Sequence, residues 1–247
     1  MQSYLPPLES IQINQEATKE EVEAILRRRK PFTALGKDGI PNGFLKAIEP
    51  KLAEAIATLA TACWALGHFP QQFKVARTIV LKKLGKPKYS DPGAWRPIAL
   101  LSTIGKVIEA LTANRISTAA EEHHLLPDTQ MGARRGRSTE TALELLVQQV
   151  RTIWRSKKHV ATLLSLDISG AFDTVNPTRL LDTLRKKKLP AWIVHWVQAF
   201  MKDRSTSLVI QGYKTPTFSI DVGVPQGSLL SPILFLLYNT ALLEICN

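Results

Sequence analysis

The sequence has few cysteines and few aromatic residues. Its 247 residues include two cysteines, Cys63 and Cys246, and aromatic side chains make up 7%. Two distant cysteines form neither a disulfide framework nor a zinc-binding pattern, so a reducing compartment, cytosol or nucleus, is expected. The first residues also lack the basic and then apolar order of a secretory signal. The protein is therefore predicted to be intracellular and not secreted.

Long apolar runs are missing as well. The most apolar stretch, residues 229–245, is interrupted by Ser231, Pro232, Asn239 and Glu244. A membrane-spanning helix needs about 20 consecutive, mainly apolar residues. The stretch therefore predicts a buried helix, and no membrane is expected among the partners.

Basic residues are in clear excess. There are 32 Lys and Arg against 21 Asp and Glu, which gives a net charge of +11. Such an excess indicates a polyanionic partner, most often nucleic acid, although charge alone also suits an ordinary basic protein. The hydrophobic fraction of 45% is sufficient for one large domain or two small lobes.

Helical and strand patterns alternate along the chain. Thr18 and Glu21 form a capping box for a short helix, and apolar residues at helical spacing predict a long helix over residues 45–66, closed by Gly67. Further helices are predicted around residues 104–111, from Ser138 or Thr139, from Asn176-Pro177, from Pro190, and after residue 228. Strands are predicted at residues 78–81 and 160–166, with a hairpin formed by residues 207–211 and 218–222. This mixture indicates a helix-rich α/β or α+β fold.

Two apolar patterns carry specific expectations about burial. The helix that begins near Ser138 has a regular apolar stripe that includes Leu143, Val147 and Trp154, and we expect this stripe to lie in the core. Residues 160–166 are almost continuously apolar, which is typical of a strand buried on both faces.

Asp167 follows this predicted strand directly. Ligand sites of open α/β sheets lie at the carboxyl ends of the strands, and Mg²⁺ prefers oxygen ligands, usually one or two carboxylates with substrate phosphates. Asp167 and the backbone carbonyl of Ile168 could supply two such oxygens. The alternative is that Asp167 simply caps a turn or a helix.

Two other segments suit the binding of a phosphate-bearing ligand. In the loop at residues 225–228, Gly223 and Gly227 would let a ligand approach the backbone closely; the alternative is a tight turn before a helix. Arg77, Arg96 and a lysine-rich loop that starts at Lys82 offer cations, and the arginine fork suits phosphate oxygens. Each basic run alone also suits a solvated surface.

Taken in order, the segments resemble the reverse transcriptase of non-LTR (LINE-type) retrotransposons. The similarity extends from about Ala34 to the end of the chain. Its motifs are Gly39-Ile40-Pro41, Trp95-Arg96-Pro97-Ile98 with Leu100-Leu101-Ser102, Gln130-Met131-Gly132 with Arg137-Ser138-Thr139, the stretch from Asp167 to Asp173, and the stretch from Gly223 to Pro232.

The resemblance implies a right-hand polymerase with fingers and a partial palm. Residues 1–33 would be a linker or N-terminal arm, residues 34–158 fingers, and residues 159–247 an incomplete palm, with the thumb absent. The implied reaction is RNA-directed DNA synthesis with two Mg²⁺ ions. The implied partners are an RNA template, a DNA primer and deoxynucleotides, and the oligomeric state is not predicted.

The resemblance also assigns residue roles. Asp167 matches the family's first catalytic carboxylate, a metal ligand together with the Ile168 carbonyl. Phe172 matches an aromatic steric gate that excludes a ribose 2′-hydroxyl, with core packing as the alternative. The remaining matches are nucleotide-contacting residues: Gln226 and Gly227 in the loop, Arg96 at the triphosphate, and Arg77 and Lys82 as further candidates for the same role.

The sequence departs from the family pattern in one central respect. The family completes its metal site with a later aromatic-x-Asp-Asp hairpin, and this sequence contains no Asp-Asp pair. Lys37 and Leu229 also stand where the family usually has proline, and Ala241 stands near a common acidic position. We therefore expect the isolated chain not to polymerise.

Two alternatives stay open at the level of sequence. A group II intron maturase shares the palm chemistry. A non-catalytic nucleic-acid binder, the remnant of a decayed element, would keep the basic residues without a metal. Such a binder predicts RNA binding with steep salt dependence that is indifferent to Asp167→Ala.

Overall fold

The computed structural model describes residues 10–156 and 159–245 and has a mixed α/β fold. The helices in these ranges are α1 (Lys19–Arg28), α2 (Asn42–Ala47), α3 (Glu49–Ala65), α4 (Gln71–Lys74), α5 (Thr103–Glu122), α6 (Thr139–Arg155), α7 (Pro177–Lys186), α8 (Ala191–Met201) and α9 (Ser231–Ile245). The strands are β1 (Val75–Lys82), β2 (Trp95–Leu100), β3 (Arg204–Ile210), β4 (Tyr213–Lys214) and β5 (Phe218–Ile220). The predicted fold class is confirmed.

Several helices begin at the predicted capping residues. The Thr18 side chain accepts a hydrogen bond from the Glu21 N–H, and the Glu21 carboxylate accepts one from the Thr18 N–H. Ser138 caps α6 through the Thr141 N–H, and Asn176 caps α7 through the Arg179 N–H. These side chains satisfy N–H groups that have no partner within the helix.

The predicted long helix is divided into α2 and α3 at Ile48. Pro50 lies in the first turn of α3. Proline is tolerated there, but inside a continuous helix it would remove a hydrogen bond and clash with the preceding turn. Gly67 closes α3 with φ of +56°, as predicted.

The strands form one sheet in which β1 lies between β2 and β3. β1 pairs antiparallel with β2, with Thr78 opposite Ala99, and parallel with β3, with Thr78 opposite Leu208. The free edge of β3 pairs antiparallel with β4 and with β5. The antiparallel pairing of the two predicted hairpin strands is confirmed, although β5 pairs with residues 204–206 of β3. The two-residue turn at Gln211 and Gly212, both with positive φ, joins β3 to the short β4 instead, and such a turn requires this backbone conformation.

The hydrophobic core lies between the helices. Phe69 contacts Trp196 and Phe200 edge-on, with ring centroids 5.3 and 5.5 Å apart. α1 joins this core through Val22 and Leu26, both fully buried. Residues 18–28 therefore pack on the core, and the domain boundaries at residues 33 and 158 stay predictions. Among the described residues, no helix has both the length and the apolar character needed to cross a bilayer.

The expectation that the α6 stripe lies in the core is wrong. Leu143, Val147 and Trp154 are 61%, 45% and 68% exposed, and α6 has no buried residue. An apolar stripe becomes buried only against a facing surface. No part of the described chain provides that surface.

The prediction of a buried strand at residues 160–166 is also wrong. Val160, Leu164 and Leu166 are at least three quarters exposed, and within the described ranges this stretch pairs with no strand. A strand buried on both faces needs neighbours at its edges and packing layers on both sides. The described strands pair with one another instead, so Asp167 follows an exposed segment.

Candidate active site

The loop at residues 223–228 is held by backbone hydrogen bonds from two sides. On β2, the Ala99 N–H donates to the Gln226 carbonyl at 2.8 Å. On the other side, the Val224 N–H donates to the Phe172 carbonyl at 2.8 Å, and the Gly223 N–H donates to the Val175 carbonyl at 2.9 Å. The loop is thus fixed between the sheet and the segment that follows Asp167.

Both loop glycines are required by the protein's own backbone. Gly227 has φ of +137°, and a Cβ there would lie 2.4 Å from the Ala99 carbonyl oxygen. Gly223 has φ of +88°, and a Cβ there would lie 2.9 Å from the Asp173 carbonyl oxygen. This geometry is the tight turn that the sequence left open as an alternative. Gly227 as a whole is nevertheless exposed, so a ligand can still reach its outer side.

A third contact holds the loop from α5. The Ser228 hydroxyl donates to Glu109 Oε2 at 2.6 Å, and the Leu229 N–H donates to the same oxygen at 3.2 Å. Glu109 is fully buried. Burial raises the pKa of its carboxyl, while the Ser228 hydrogen bond and the nearby Arg204 act in the opposite direction. The loop is therefore tied to a buried carboxylate as well as to the sheet.

A cavity of about 270 Å³ lies between this loop and the sheet. Its walls include Ala99, Asp173, Arg204, Phe218 and Gln226. Burial lowers the pKa of the Arg204 guanidinium to about 10, and the charge of Glu109 partly offsets the effect. The cavity thus combines a largely apolar wall with one buried cation.

Phe172 contributes both its backbone and its ring to this region. Its carbonyl anchors Val224, and its partly buried ring packs edge-on against Phe235, with centroids 5.3 Å apart. The core packing given above as the alternative is therefore observed for part of the ring. Phe172, predicted separately from Gln226 and Gly227, lies on the segment that anchors their loop.

The hydrogen bonds that hold the loop involve residues other than Asp167 and Ile168. Asp167 is exposed and Ile168 is 43% exposed. Within residues 10–156 and 159–245, no three His, Cys, Asp or Glu side chains form a group that could hold a metal ion. Asp167 suits Mg²⁺ as one hard oxygen ligand, but one carboxylate does not complete a two-metal site.

The three predicted cations are not brought together. Side chains alternate across a strand, so Arg77 and Arg96 lie on the sheet face opposite Thr78 and Ala99. Arg77 Nη2 donates to the Leu35 carbonyl at 3.0 Å, and Arg96 is exposed. These two arginines therefore lie on the sheet face opposite the one that lines the cavity.

Lys82 is on the same face as the loop. It pairs with Trp95, four residues before Ala99 on β2, which places it about 13 Å along the strand. Its Nζ lies 5.0 Å from the Tyr89 ring centroid and 5.6 Å from that of Trp95. Cation–π contacts of this kind orient the ammonium group.

Sequence reasoning missed Glu109, Arg204 and the anchoring role of Ser228. The signal for Glu109 was weak. It stands between the apolar residues Ile108 and Leu111, but a glutamate on a helix is ordinarily exposed. Its partner lies 119 positions later, and one sequence does not reveal that contact.

Comparison with known proteins agrees with the geometry. The family described as reverse transcriptase (RNA-dependent DNA polymerase) matches residues 82–247. The chain is 34% identical, over 89% of its length, to the probable RNA-directed DNA polymerase from transposon X-element of Drosophila melanogaster. It is 30% identical, over 96% of its length, to the probable RNA-directed DNA polymerase from transposon BS of the same organism.

A third relative extends the similarity to another organism. The chain is 30% identical, over 91% of its length, to the Pol polyprotein from the type-1 retrotransposable element R1 of Bradysia coprophila. The chain spans only 24%, 25% and 22% of the lengths of these three relatives. The resemblance to non-LTR retrotransposon enzymes is confirmed, and the chain belongs to the reverse transcriptase (RNA-dependent DNA polymerase) family.

Proposed function

We propose that this chain supplies the nucleotide-binding part of an RNA-directed DNA polymerase encoded by a retrotransposon. The reaction extends a DNA primer with deoxynucleotides on an RNA template. The observation that carries the proposal is the loop at residues 223–228, fixed on three sides with Gly227 exposed. A preformed loop places its polar groups before the substrate arrives, and such preorganisation favours catalysis. Localisation to the nucleus or cytoplasm stays a prediction.

The loop and its anchor would contact the incoming nucleotide. Gln226 is partly exposed beside the cavity, and the outer side of Gly227 permits close approach to the backbone. Phe172 lies next to the loop because its carbonyl binds Val224. We assign the exposed part of the Phe172 ring to the steric gate that rejects a ribose 2′-hydroxyl.

The proposed metal-binding site includes fewer residues than the proposed nucleotide site. Enzymes of this family generally use divalent metal ions. Asp167 and the Ile168 carbonyl would hold Mg²⁺ here, and bound Mg²⁺ would stabilise the charge of the transferring phosphate. Asp167 and Ile168 alone do not complete the site, and no group of three His, Cys, Asp or Glu side chains is assembled among the described residues. The expectation that the 247-residue chain does not polymerise alone therefore stands as part of the proposal.

The basic residues divide between two roles. Lys82 lies on the face of the sheet that carries the loop, so it is our first candidate for the triphosphate. Arg77 and Arg96 lie on the opposite face, where they would contact the phosphate backbone of the template or the primer. This division refines the earlier expectation that Arg96 binds the triphosphate.

A domain exchange tests the proposal. Residues 34–247 replace the matching segment of the X-element polymerase, and the chimera is assayed for Mg²⁺-dependent extension of a DNA primer on an RNA template. We expect extension by the chimera and none after Asp167→Ala, with the circular dichroism spectrum unchanged. A chimera that folds and binds the hybrid but extends no primer would contradict the proposal.

A second candidate function is non-catalytic binding of nucleic acid. The net charge of +11 and the exposed Arg96 favour it. It predicts binding of RNA that weakens steeply with salt, an inactive chimera, and no effect of Asp167→Ala on affinity. The domain exchange therefore distinguishes the two candidates.

A further inference from the structure

Glu109 is a buried carboxylate that contacts the candidate nucleotide loop from another part of the chain. It lies on α5, is fully buried, and is 119 residues before its partner Ser228. Burying a carboxylate is unfavourable unless strong hydrogen bonds compensate. The packing of α5 alone therefore does not explain why a carboxylate is buried at this position.

The hydrogen bonds of Glu109 converge on a single oxygen. Oε2 accepts from the Ser228 hydroxyl at 2.6 Å and from the Leu229 N–H at 3.2 Å. The distance to Ser228 lies in the range of charge-assisted O–H···O⁻ bonds, about 2.5–2.7 Å. Oε1 has no hydrogen-bond partner in the described structure. Every hydrogen bond of this carboxylate is thus directed at the end of the loop.

Ser228 also forms hydrogen bonds with residues near the start of α9. Its hydroxyl oxygen accepts from the Leu230 N–H at 3.1 Å, and its own N–H donates to the Pro225 carbonyl at 3.1 Å. Ser231 also donates to the Pro225 carbonyl, at 2.9 Å. A shift of Ser228 would therefore move Pro225 and the adjoining Gln226.

We propose that Glu109 is a positioning residue for the nucleotide loop, acting through Ser228 and Leu229 to hold Gln226 and Gly227 in their binding geometry. This inference rests on the proposed function for its nucleotide, but the positioning itself can be measured without one. Glu109 touches no substrate in this arrangement. Its contribution is the placement of residues that do.

The charged groups around Glu109 are consistent with an acceptor role. Burial raises the pKa of the Glu109 carboxyl, whereas the Ser228 hydrogen bond, Arg204, which lines the cavity, and Lys106, on the same helix, act in the opposite direction. Glu109→Gln keeps an acceptor oxygen of similar size, so it should preserve both bonds. Glu109→Leu keeps the volume approximately but removes the acceptor.

Thr112→Val is the matched control on the same helix. Thr112 is also fully buried, but its hydroxyl accepts from Trp64 Nε1 at 3.0 Å and does not contact the loop. This change removes a buried hydrogen bond from α5 without affecting Ser228. It therefore measures what a purely structural defect in α5 does to the loop.

The first experiment is amide hydrogen exchange on the 247-residue chain without nucleotide. In Glu109→Leu, exchange of the Leu229 and Leu230 amides should accelerate about 10- to 100-fold, as expected for loss of a hydrogen bond to a charged group. Glu109→Gln and Thr112→Val should stay within about threefold of wild type at these amides. Equal acceleration in Thr112→Val, or none in Glu109→Leu, would overturn the inference.

A loop-side variant covers the case in which Glu109→Leu does not fold. Ser228→Ala removes both the donor to Glu109 and the acceptor of the Leu230 N–H, so it should accelerate exchange of the Leu230 amide most and that of the Leu229 amide less. Where Glu109→Leu folds, combining it with Ser228→Ala should accelerate these amides little beyond either single change, because the two residues act through one contact. A double variant whose effects simply add would contradict this coupling.

The second experiment measures nucleotide binding by the same chain. Fluorescence anisotropy of a labelled RNA template–DNA primer is recorded with and without the complementary deoxynucleotide. Glu109→Leu should weaken the nucleotide-dependent affinity about tenfold, while Glu109→Gln and Thr112→Val retain it. If wild type binds no hybrid, the proposed function fails while the exchange data still decide the positioning role. Faster exchange with unchanged nucleotide affinity would overturn the inference.

Discussion

Helices α5 and α6 show how far an apolar pattern can mislead. α6 has the more regular stripe, yet it contains no buried residue, whereas α5 contains eleven. α5 is surrounded by α1, α3 and α9, and α6 lacks such neighbours among the described residues. An amphipathic pattern thus indicates that a helix requires a partner and does not show that the partner is present.

The same contrast divides the candidate site. The loop at residues 223–228 is held by β2, by the segment around Phe172 and by Glu109. The stretch around Asp167 is exposed and pairs with no described strand. The part of the site that we propose for the nucleotide is therefore preformed, and the part that we propose for the metal is not.

The largest expected effect on the free energy of unfolding comes from adding one methyl group in the loop at residues 223–228. Gly227→Ala places a Cβ 2.4 Å from a backbone oxygen, at φ of +137°. Strain and overpacking together should lower the free energy of unfolding by about 2–6 kcal/mol. Gly136→Ala is the control in the exposed region, since φ is +72° there and no atom lies within 4 Å of its Cβ. Urea unfolding should show a clearly smaller loss for Gly136→Ala, and equal losses would break the comparison.

Truncation of one leucine in each helix tests the burial difference directly. Leu111 on α5 is 1% exposed and Leu143 on α6 is 61% exposed. Leu111→Ala should lower the free energy of unfolding by about 2–5 kcal/mol. Leu143→Ala should change it by less than about 0.5 kcal/mol. A comparable loss in Leu143→Ala would show that the α6 stripe is buried in the isolated chain.

Glu109 should contribute to the pH dependence of the free energy of unfolding. Burial raises the pKa of its carboxyl above 4.5, so the folded chain retains a proton that the unfolded chain has lost. The contribution of Glu109 to the free energy of unfolding should therefore fall as pH rises from about 4.5 through the raised pKa. Glu109→Gln cannot titrate and should lose this part of the slope, while Thr112→Val keeps it. The free energy of unfolding, measured with urea at a series of pH values, would change with pH identically in wild type and Glu109→Gln if this account were wrong.

The smallest effect concerns thiol reactivity. Cys63 is 3% exposed, and burial raises its pKa to about 11. Near pH 8 only about one thiol in a thousand would be ionised. In a Cys246→Ser background, Cys63 should react with a thiol reagent only as the chain unfolds. A cysteine introduced by Leu143→Cys should react at the rate of a free thiol, and slow labelling there would contradict the exposure of α6.

Local signals in the sequence predicted local structure well. The Thr18–Glu21 capping box, the caps at Ser138 and Asn176, and the turn at Gly212 all rest on contacts within a few residues. Pro50 also indicated that the predicted long helix is divided, because proline is typical of the first turn of a helix. Each of these features depends on chemistry that one short segment contains.

Features that depend on distant partners could not be predicted in the same way. The strand expected at residues 160–166 would need neighbouring strands to become buried, and the apolar run alone does not supply them. The contact of Glu109 with Ser228 joins α5 to a loop near α9. Similarly, the resemblance assigned Arg96 to the triphosphate without indicating the face of β2 on which its side chain lies, and that face depends on pairing with β1.

Hydrogen exchange across the wild-type chain tests the central claim most directly, namely that one side of the site is preformed and the other is not. The account predicts slow exchange at Leu229 and Leu230, whose amides bind Glu109 and Ser228. It predicts rapid exchange at Leu164, Leu166 and Asp167, which lie in the exposed stretch. Protection of the second group equal to that of the first would contradict the account, because residues 160–166 would then form a hydrogen-bonded strand.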